Sequence, residues 1–528
     1  MRFARFARRR PGDGPTTLQE RRVALVLTMM FCALTSVFFP TTALASPTAI
    51  PASPTVPAAP QADCSFDDLQ DPARRKKCLA DLGPVPAARE QCIKAPTPTT
   101  PDSGMAGWFT EPPKPEKGYR GAYLKYGYAG YSHTTYDDPD CGQTTMYPEF
   151  APEHKIANAE LLVASGIIGA SNALRERAWD PGPMWDWANP LVEKATTGIY
   201  QKVFTVFGAI TLAVVGIYLI WRSRQADMND SLTTAGWAVL VIVVVTAVVA
   251  WPVFSANLAD GMLLQSLGAI HSAIGPADKS IPPDKCALRD KEACKDNRKP
   301  AVRASDTATE AILYQNWLRG ALGSSDSDTA RTYGPALYHA KAFTWDELRA
   351  IRPEASDSTK ERQKKLATRN KIIEEKAELW KRTAEQIRKT DPEAYEHLQG
   401  QRGMERIGAS FIALLAAVFF ALFDIVTSVL ILLGFLVFRW AVVAAPLIGT
   451  FAMLRPASTG LKRLGNAVVA AIFNIVIFGA GAAVYLFAVD LILSTASLAG
   501  WLQVLLIGLC GIAGWMLLRP YRRLTQLG

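Results

Sequence analysis

The chain has 528 residues, a hydrophobic content of 49% and a formal net charge of +9. Its length exceeds that of one ordinary domain, and so modest a net charge does not by itself indicate nucleic-acid binding. Apolar residues are segregated: uncharged windows of about 20 residues, long enough to span a bilayer, alternate with stretches rich in charged residues. This pattern excludes an ordinary soluble enzyme and indicates a membrane protein with large loops.

Residues 1–45 have the pattern of a cleavable signal peptide. Basic residues, including Arg8, Arg9 and Arg10, precede an uncharged run at 23–39, and the small-x-small sequence Ala-Leu-Ala ends at residue 45. The apolar run is short for a stable span. Export is therefore the prediction, and an uncleaved N-terminal anchor is the alternative.

The cysteines support export. Cys32 leaves with the signal peptide, and Cys510 lies in an apolar run. The other six form even-numbered groups, as expected for disulfides in exported segments. These disulfide candidates are Cys64, Cys78, Cys92, Cys141, Cys286 and Cys294. A zinc site is the rival interpretation, but no CxxC pair is present, and neither His133 nor His154 completes a ligand pattern. The pairing stays open.

Residues 46–62 form a linker of Pro, Ala, Thr and Ser, which is flexible or polyproline-like. The following region, 63–195, is predicted to be extracytoplasmic and to carry the first four cysteines. Its many tyrosines are expected to form the core of a small loop-rich unit. A sugar-binding surface is the alternative.

A transmembrane hairpin is predicted at 196–254, with spans at about 203–221 and 235–254. Its basic tip, which includes Arg222 and Arg224, should be cytoplasmic by the positive-inside rule.

A large helical extracytoplasmic loop is predicted at 255–406. Ser358 and Glu361 form a capping box ahead of a long helix. Behind it lies a heptad seam of Leu366, Asn370, Ile373, Ala377, Trp380, Ala384 and Ile387. We expect this seam to pack as a hairpin within the loop. Self-assembly or partner docking is the alternative.

The C-terminal region, 407–528, is predicted to be a transmembrane bundle. Spans are expected at 407–438, 465–493 and 501–518, and a re-entrant segment at 440–454 that turns near Pro446. With the hairpin this makes about five spans in an all-α membrane protein. Five crossings place every short basic cluster, and the C-terminus, in the cytoplasm.

Polar residues within the apolar stretches are the candidates for a functional site. A carboxylate there is costly and normally faces the bundle interior or water. Asp424, Asn466, Asn474 and Asp490 are assigned either to an intramembrane polar path or to helix packing. A stripe of Ala409, Ala413, Ala417 and Ala421 favours close packing of helices and oligomerisation.

The sequence contains no recognisable nucleotide-binding, metalloprotease or serine-hydrolase motif. We therefore expect no enzymatic activity, and assign no catalytic, cofactor-binding or metal-binding residue.

Three motifs resemble those of a known family. They are Arg439-Trp440, Ala445-Pro446-Leu447-Ile448 and Lys462-Arg463-Leu464 ahead of a long apolar span. With the five-span layout, they resemble the TrbL-type polytopic inner-membrane subunit of type IV secretion and conjugative transfer systems. The loop motifs at 317–320 (Trp-Leu-Arg-Gly) and 330–335 (Ala-Arg-Thr-Tyr-Gly-Pro) look like those of actinobacterial conjugation proteins. The resemblance covers about 195–528, and the cysteine-bearing extension departs from the family pattern.

The resemblance implies a membrane channel or scaffold subunit that helps DNA or protein cross the cell membrane. It implies as partners other secretion subunits with a separate ATPase, the lipid bilayer, and further copies of the chain. A solute transporter and a membrane-anchored cell-envelope receptor or enzyme are the alternatives.

Overall fold

The fold was analysed in a computed structural model. The structure describes residues 64–66, 68–69, 71–87, 93–113, 121–135, 150–224, 228–274, 298–455, 458–495 and 498–518. Within these ranges the regular elements are helices, and the one β-bridge joins Thr99 to Ala342. The signal peptide, the linker, four of the six disulfide candidates (Cys92, Cys141, Cys286 and Cys294) and the basic C-terminal tail lie outside the described residues.

The first half of the described chain contains ten helices. They are α1 (Pro72–Asp81), α2 (Ala122–Tyr126), α3 (Phe150–Trp179), α4 (Gly182–Trp185), α5 (Asn189–Ile199), α6 (Thr205–Ser223), α7 (Met228–Ala250), α8 (Pro252–Ile274), α9 (Pro300–Thr309) and α10 (Gln315–Leu322). Single π-helical turns, Tyr200–Phe204 and Glu310–Tyr314, connect α5 to α6 and α9 to α10.

Seven helices follow. They are α11 (Asp328–Lys341), α12 (Trp345–Ile351), α13 (Thr359–Thr390), α14 (Pro392–Gln399), α15 (Gly403–Ala452), α16 (Thr459–Leu493) and α17 (Gly500–Leu518). The sequence sets several of their ends. The predicted capping box of Ser358 and Glu361 is confirmed at the start of α13, and Thr344 with Glu347 forms another at α12. Glycines with positive φ, Gly323 and Gly400, end α10 and α14.

The helix α15 is the centre of the fold, since every long helix except α13 packs beside it. The helix α3 runs parallel to it, because His154 contacts Arg406 and Arg175 contacts Asp424. Farther along, α5 and α6 continue the same course, with Val192 near Phe438 and Phe204 near Met453.

Other helices run antiparallel to α15. The indole of Trp237 in α7 donates to the carbonyl of Ala452. Asp260 of α8, later in the chain, pairs with Arg439, which lies earlier in α15. In α16, Ile475 lies against Gly434, where a Cβ would come within 2.5 Å of its side chain. This glycine therefore lets the two helices approach closely. The last helix, α17, is parallel to α15.

One hydrophobic core joins regions that the sequence treats as separate domains. The first described residues, the helices α9 to α11, α13 and α14, and the apolar helices α15 to α17 all contribute to it, whereas α12 packs in a small separate cluster. Its aromatic centre contains Phe66, Tyr126, Tyr131, Tyr314, Trp317 and Tyr338. Of the four tyrosines described in this region, Tyr126, Tyr128 and Tyr131 are buried and Tyr123 is half-buried. They form a core rather than a sugar-binding surface.

Five helical segments are long and apolar enough to cross a membrane. They are Asn189–Trp221, Leu232–Ala250, Gly403–Ala452, Thr459–Leu493 and Gly500–Leu518. The number agrees with the predicted count, and the chain is an all-helical, multi-pass membrane protein by length and composition. The apolar character also continues beyond the predicted hairpin, since α8 extends to Ile274 and packs against α15 and α16.

The structure contradicts the re-entrant turn at Pro446. The helix α15 passes through Pro446 without a break and continues to Ala452. Counting 440–454 as a separate short segment was the error. A proline removes one backbone donor and strains the helix. Here the surrounding helices α5 to α7 hold it in place.

The predicted seam is packed over one half only. Trp380, Ala384 and Ile387 are buried against the common core, in agreement with packing inside the loop region. Leu366 and Asn370, in the first half of α13, are exposed. The structure also contains one of the disulfides allowed by the sequence, between Cys64 and Cys78, which fixes the described N-terminus to α1.

Candidate functional site: buried charges along the central helix

Three charged side chains of α15 are buried: Arg406, Asp424 and Arg439, each at most 3% exposed. They are 18 and 15 residues apart, which at the helical rise corresponds to about 27 and 22 Å. Each has its own set of polar partners on neighbouring segments. Because unpaired buried charges are costly, these partners decide which helices can pack beside α15.

Asp424 forms an ion pair with α3. One carboxylate oxygen accepts hydrogen bonds from the Ser171 hydroxyl at 2.5 Å and from the Arg175 guanidinium at 2.8 Å. Both charged side chains are nearly inaccessible to solvent. A carboxylate facing the bundle interior was one of the two expected placements, and here its negative charge is paired.

The polar network continues beyond Arg175. Its second terminal nitrogen donates to Asn172 at 2.5 Å and to Ser305 of α9 at 3.2 Å. The Asn172 amide donates in turn to the hydroxyls of Tyr128 and Thr309, at 2.8 and 3.0 Å. The network thus ties α15 to three other segments through fully buried groups.

A second ion pair lies farther along α15. Arg439 donates two hydrogen bonds to Asp260 of α8, at 2.7 and 3.3 Å, and one to Asn257 at 3.2 Å. The Trp185 ring covers the guanidinium, with its centroid 4.7 Å away. Bidentate pairing with a stacked ring is a geometry that arginine, but not lysine, provides.

Arg406, at the start of α15, donates to several backbone carbonyls. It donates to those of Gly320 at 3.1 Å and Leu398 at 2.9 Å, and it contacts the His154 ring. A Cβ on Gly320 would come within 2.5 Å of the His133 ring, so only glycine fits there. Arg406 therefore ties α10, α14 and α3 together.

The surroundings of Arg406 are rich in buried bases. Burial and the nearby Arg406 charge lower the pKa of Lys341 to about 7, and the same two causes lower the pKa of His154 to about 4. The pKa of His133 is also depressed, chiefly by burial. Lys341 donates to the Ser132 carbonyl and lies near the rings of Trp317 and Trp380.

The other predicted polar residues are not brought together. Asp490 is buried near the end of α16, whereas Asn466 is exposed and Asn474 half-buried on the same helix. None of the three contacts Asp424 through a hydrogen bond that the structure describes. The stripe Ala409, Ala413, Ala417 and Ala421 is buried within the chain. The four residues therefore do not form one continuous polar path in this structure.

The sequence reasoning missed the partners Arg175 and Asp260. Both belong to segments assigned to extracytoplasmic regions, where charged residues are common and do not indicate a site. A signal was nevertheless present. Arg175 follows an uncharged stretch at 161–174, and Asp260 is the only Asp, Glu, Lys or Arg in α8.

The arrangement supports a role in packing the helices rather than in binding a substrate. Among the described residues, no group of three His, Cys, Asp or Glu side chains is placed to hold a metal ion. What the geometry provides is three specific contacts that fix the register of α15 against its neighbours.

No protein-family model, curated protein or solved structure matches the chain. The resemblance to the TrbL-type family therefore stays a prediction from the sequence.

Proposed function

We propose that this chain is a non-enzymatic channel or scaffold subunit of a conjugation-type, type IV secretion-like machine that moves DNA or protein across the cell membrane. The observation that carries the proposal is the order of elements. An apolar hairpin precedes a long helical region, and three long apolar helices follow it.

The packing is consistent with a scaffold. The helical region at 298–402 shares its core with α15 to α17, so the apolar and polar parts form a continuous body. Arg455, after α15, contacts Thr233 near the hairpin tip at 3.1 Å. Two of the basic clusters therefore lie at the same end of the apolar helices, as the proposed topology requires.

A clean deletion in the native host tests the proposal. Transfer of a plasmid or integrative element to a recipient should fall by orders of magnitude, and expression of the wild-type chain should restore it. A strain lacking the transfer ATPase of the same plasmid or element serves as the positive control for loss. Undiminished transfer from the deletion strain would rule the proposal out and leave the transporter alternative.

A further inference from the structure

The first half of α13 is a basic helical arm that packs against little else. Residues 359–371 contain six Lys or Arg and one Glu. Nearly all of them are exposed, and apolar packing resumes only at Ile372 and Ile373, against α12. Lys360 and Lys364, like Lys365 and Arg369, are like charges four residues apart, which destabilises a helix.

Three lysines share one face of this arm. Lys360, Lys364 and Lys371 are separated by four and seven residues, the spacing that repeats a helix face. Farther along the same face, Glu375, Arg382 and Gln386 contact α1, through Arg75, Leu79 and Leu82. The row of lysines therefore lies on the face of α13 that, farther along, packs against α1.

The helix α1 continues the positive charge. Lys76 and Lys77 are exposed there, and no carboxylate among the described residues lies within ion-pair distance of them or of the three arm lysines. By contrast, Arg74, Arg75 and Lys365 nearby are each paired. We call Lys360, Lys364, Lys371, Lys76 and Lys77 the basic stripe.

We propose that the basic stripe binds a linear phosphodiester polyanion through its backbone. Unpaired cations in a row along about 17 Å of helix, from Lys360 to Lys371, and then onto α1, match an extended line of phosphates. The arm has no aromatic side chain on which a base could stack, so binding should be independent of sequence.

The chemistry of the arm argues against a membrane surface as the partner. A helix that lies on a bilayer needs a continuous apolar face opposite its charges. Leu366 is the one large apolar residue between Thr359 and Lys371, and Arg362 and Arg369 occupy the face opposite the stripe. The inference depends on these charges alone and not on the proposed function.

The test uses the full-length chain in nanodiscs of uncharged lipid. Binding of a fluorescent DNA duplex is measured by anisotropy from about 50 to 200 mM salt. The variant with Gln at all five stripe lysines should bind at least tenfold more weakly at about 50 mM salt. Its salt slope should be smaller by about 4.5, at about 0.9 for each of the five lost phosphate contacts.

A matched control variant has the same change in net charge. It has Gln at five exposed cations that are already ion-paired: Arg177, Lys299, Arg331, Arg349 and Arg352. This control should bind nearly as well as the wild type. Equal weakening in both variants, or no binding by the wild type, would overturn the proposal.

Two further ligands distinguish the kinds of polyanion that the basic stripe could bind. Binding of poly(glycerol phosphate) that equals binding of DNA would assign the stripe to phosphodiester polymers in general, in agreement with the proposal. Binding to phosphatidylglycerol vesicles but not to either polymer would overturn it in favour of a lipid surface. Retained plasmid transfer in the stripe variant would leave the proposed function intact, so the two failures are distinguishable.

Discussion

At the residue scale, Lys341 is a buried cation that has no carboxylate partner among the described residues. It is 2% exposed, and its contacts are a carbonyl and the faces of two tryptophan rings. Burial and the nearby Arg406 charge lower its pKa from 10.5 to about 7. The unfolded chain therefore binds this proton more tightly than the folded chain between about pH 7 and pH 10.5.

The free energy of unfolding should consequently increase with pH across that window. Below it, the folded protein bears the full cost of burying the charged lysine. The variant Lys341→Met should raise the unfolding midpoint by about 5 °C at pH 6 and by much less at pH 10. The Ser132 carbonyl keeps a partner in this variant, because it also accepts from the Trp317 indole at 2.9 Å.

Thermal unfolding of the purified protein in detergent, at both pH values, measures the effect. The exposed Lys155→Met variant is the control and should show no such pH dependence. An equal gain for Lys341→Met at both pH values would contradict the depressed pKa.

At the scale of elements, the contact between α3 and α15 depends on the ion pair of Arg175 and Asp424. Removing one partner leaves the other buried without compensation, at a cost of about 3–5 kcal/mol. Asp424→Ala should therefore destabilise the protein strongly. The double variant Arg175→Met, Asp424→Leu should recover most of the lost stability, since an apolar pair of similar volume needs no compensation.

Denaturation midpoints for Arg175→Met, Asp424→Leu and the double variant form a cycle that isolates the pair. Glu111→Ala breaks the exposed pair with Arg177 and is the control, with an expected cost below about 1 kcal/mol. A double variant no more stable than Asp424→Ala would show that the pair is not the reason for the loss.

The elements also show what sequence reasoning can reach. Apolar run length identified all five candidate spans, and the capping box placed the start of α13. Both signals are local, so one sequence displays them. The partners of Asp424 and Arg439 depend on contacts between residues 249 and 179 positions apart, which no local pattern reports. The same holds for the core shared by Phe66 and Tyr338.

The error at Pro446 has a different origin. Length and proline content describe an isolated segment, whereas the structure places this segment at the end of a helix that neighbours surround. Tertiary packing overrides the local preference there.

At the scale of the whole molecule, the orientation of the chain in the membrane is the main prediction. Lys462 lies at the start of α16, in the basic cluster that follows the central helix. Arg331 and Lys371 belong to the large helical region. All three side chains are exposed, so cysteine is tolerated at each position. Single-cysteine variants can be made in a Cys510→Ala background, where the remaining cysteines are expected to be oxidised.

A membrane-impermeant maleimide should label Arg331→Cys and Lys371→Cys in intact cells. Lys462→Cys should react only after permeabilisation, because the positive-inside rule predicts that its basic cluster is cytoplasmic. Labelling of Lys462→Cys in intact cells would contradict the five-span topology.

The unbroken length of α15 has a mechanical consequence. Fifty residues make a rod of about 75 Å, more than twice the roughly 30 Å of a hydrocarbon core. Its anchors Arg406 and Arg439 grip different helices about 50 Å apart, at 1.5 Å per residue. Because no break lies between them, the two anchors keep a fixed spacing along the helix. Two sets of neighbouring helices are therefore held in one register by a single continuous element.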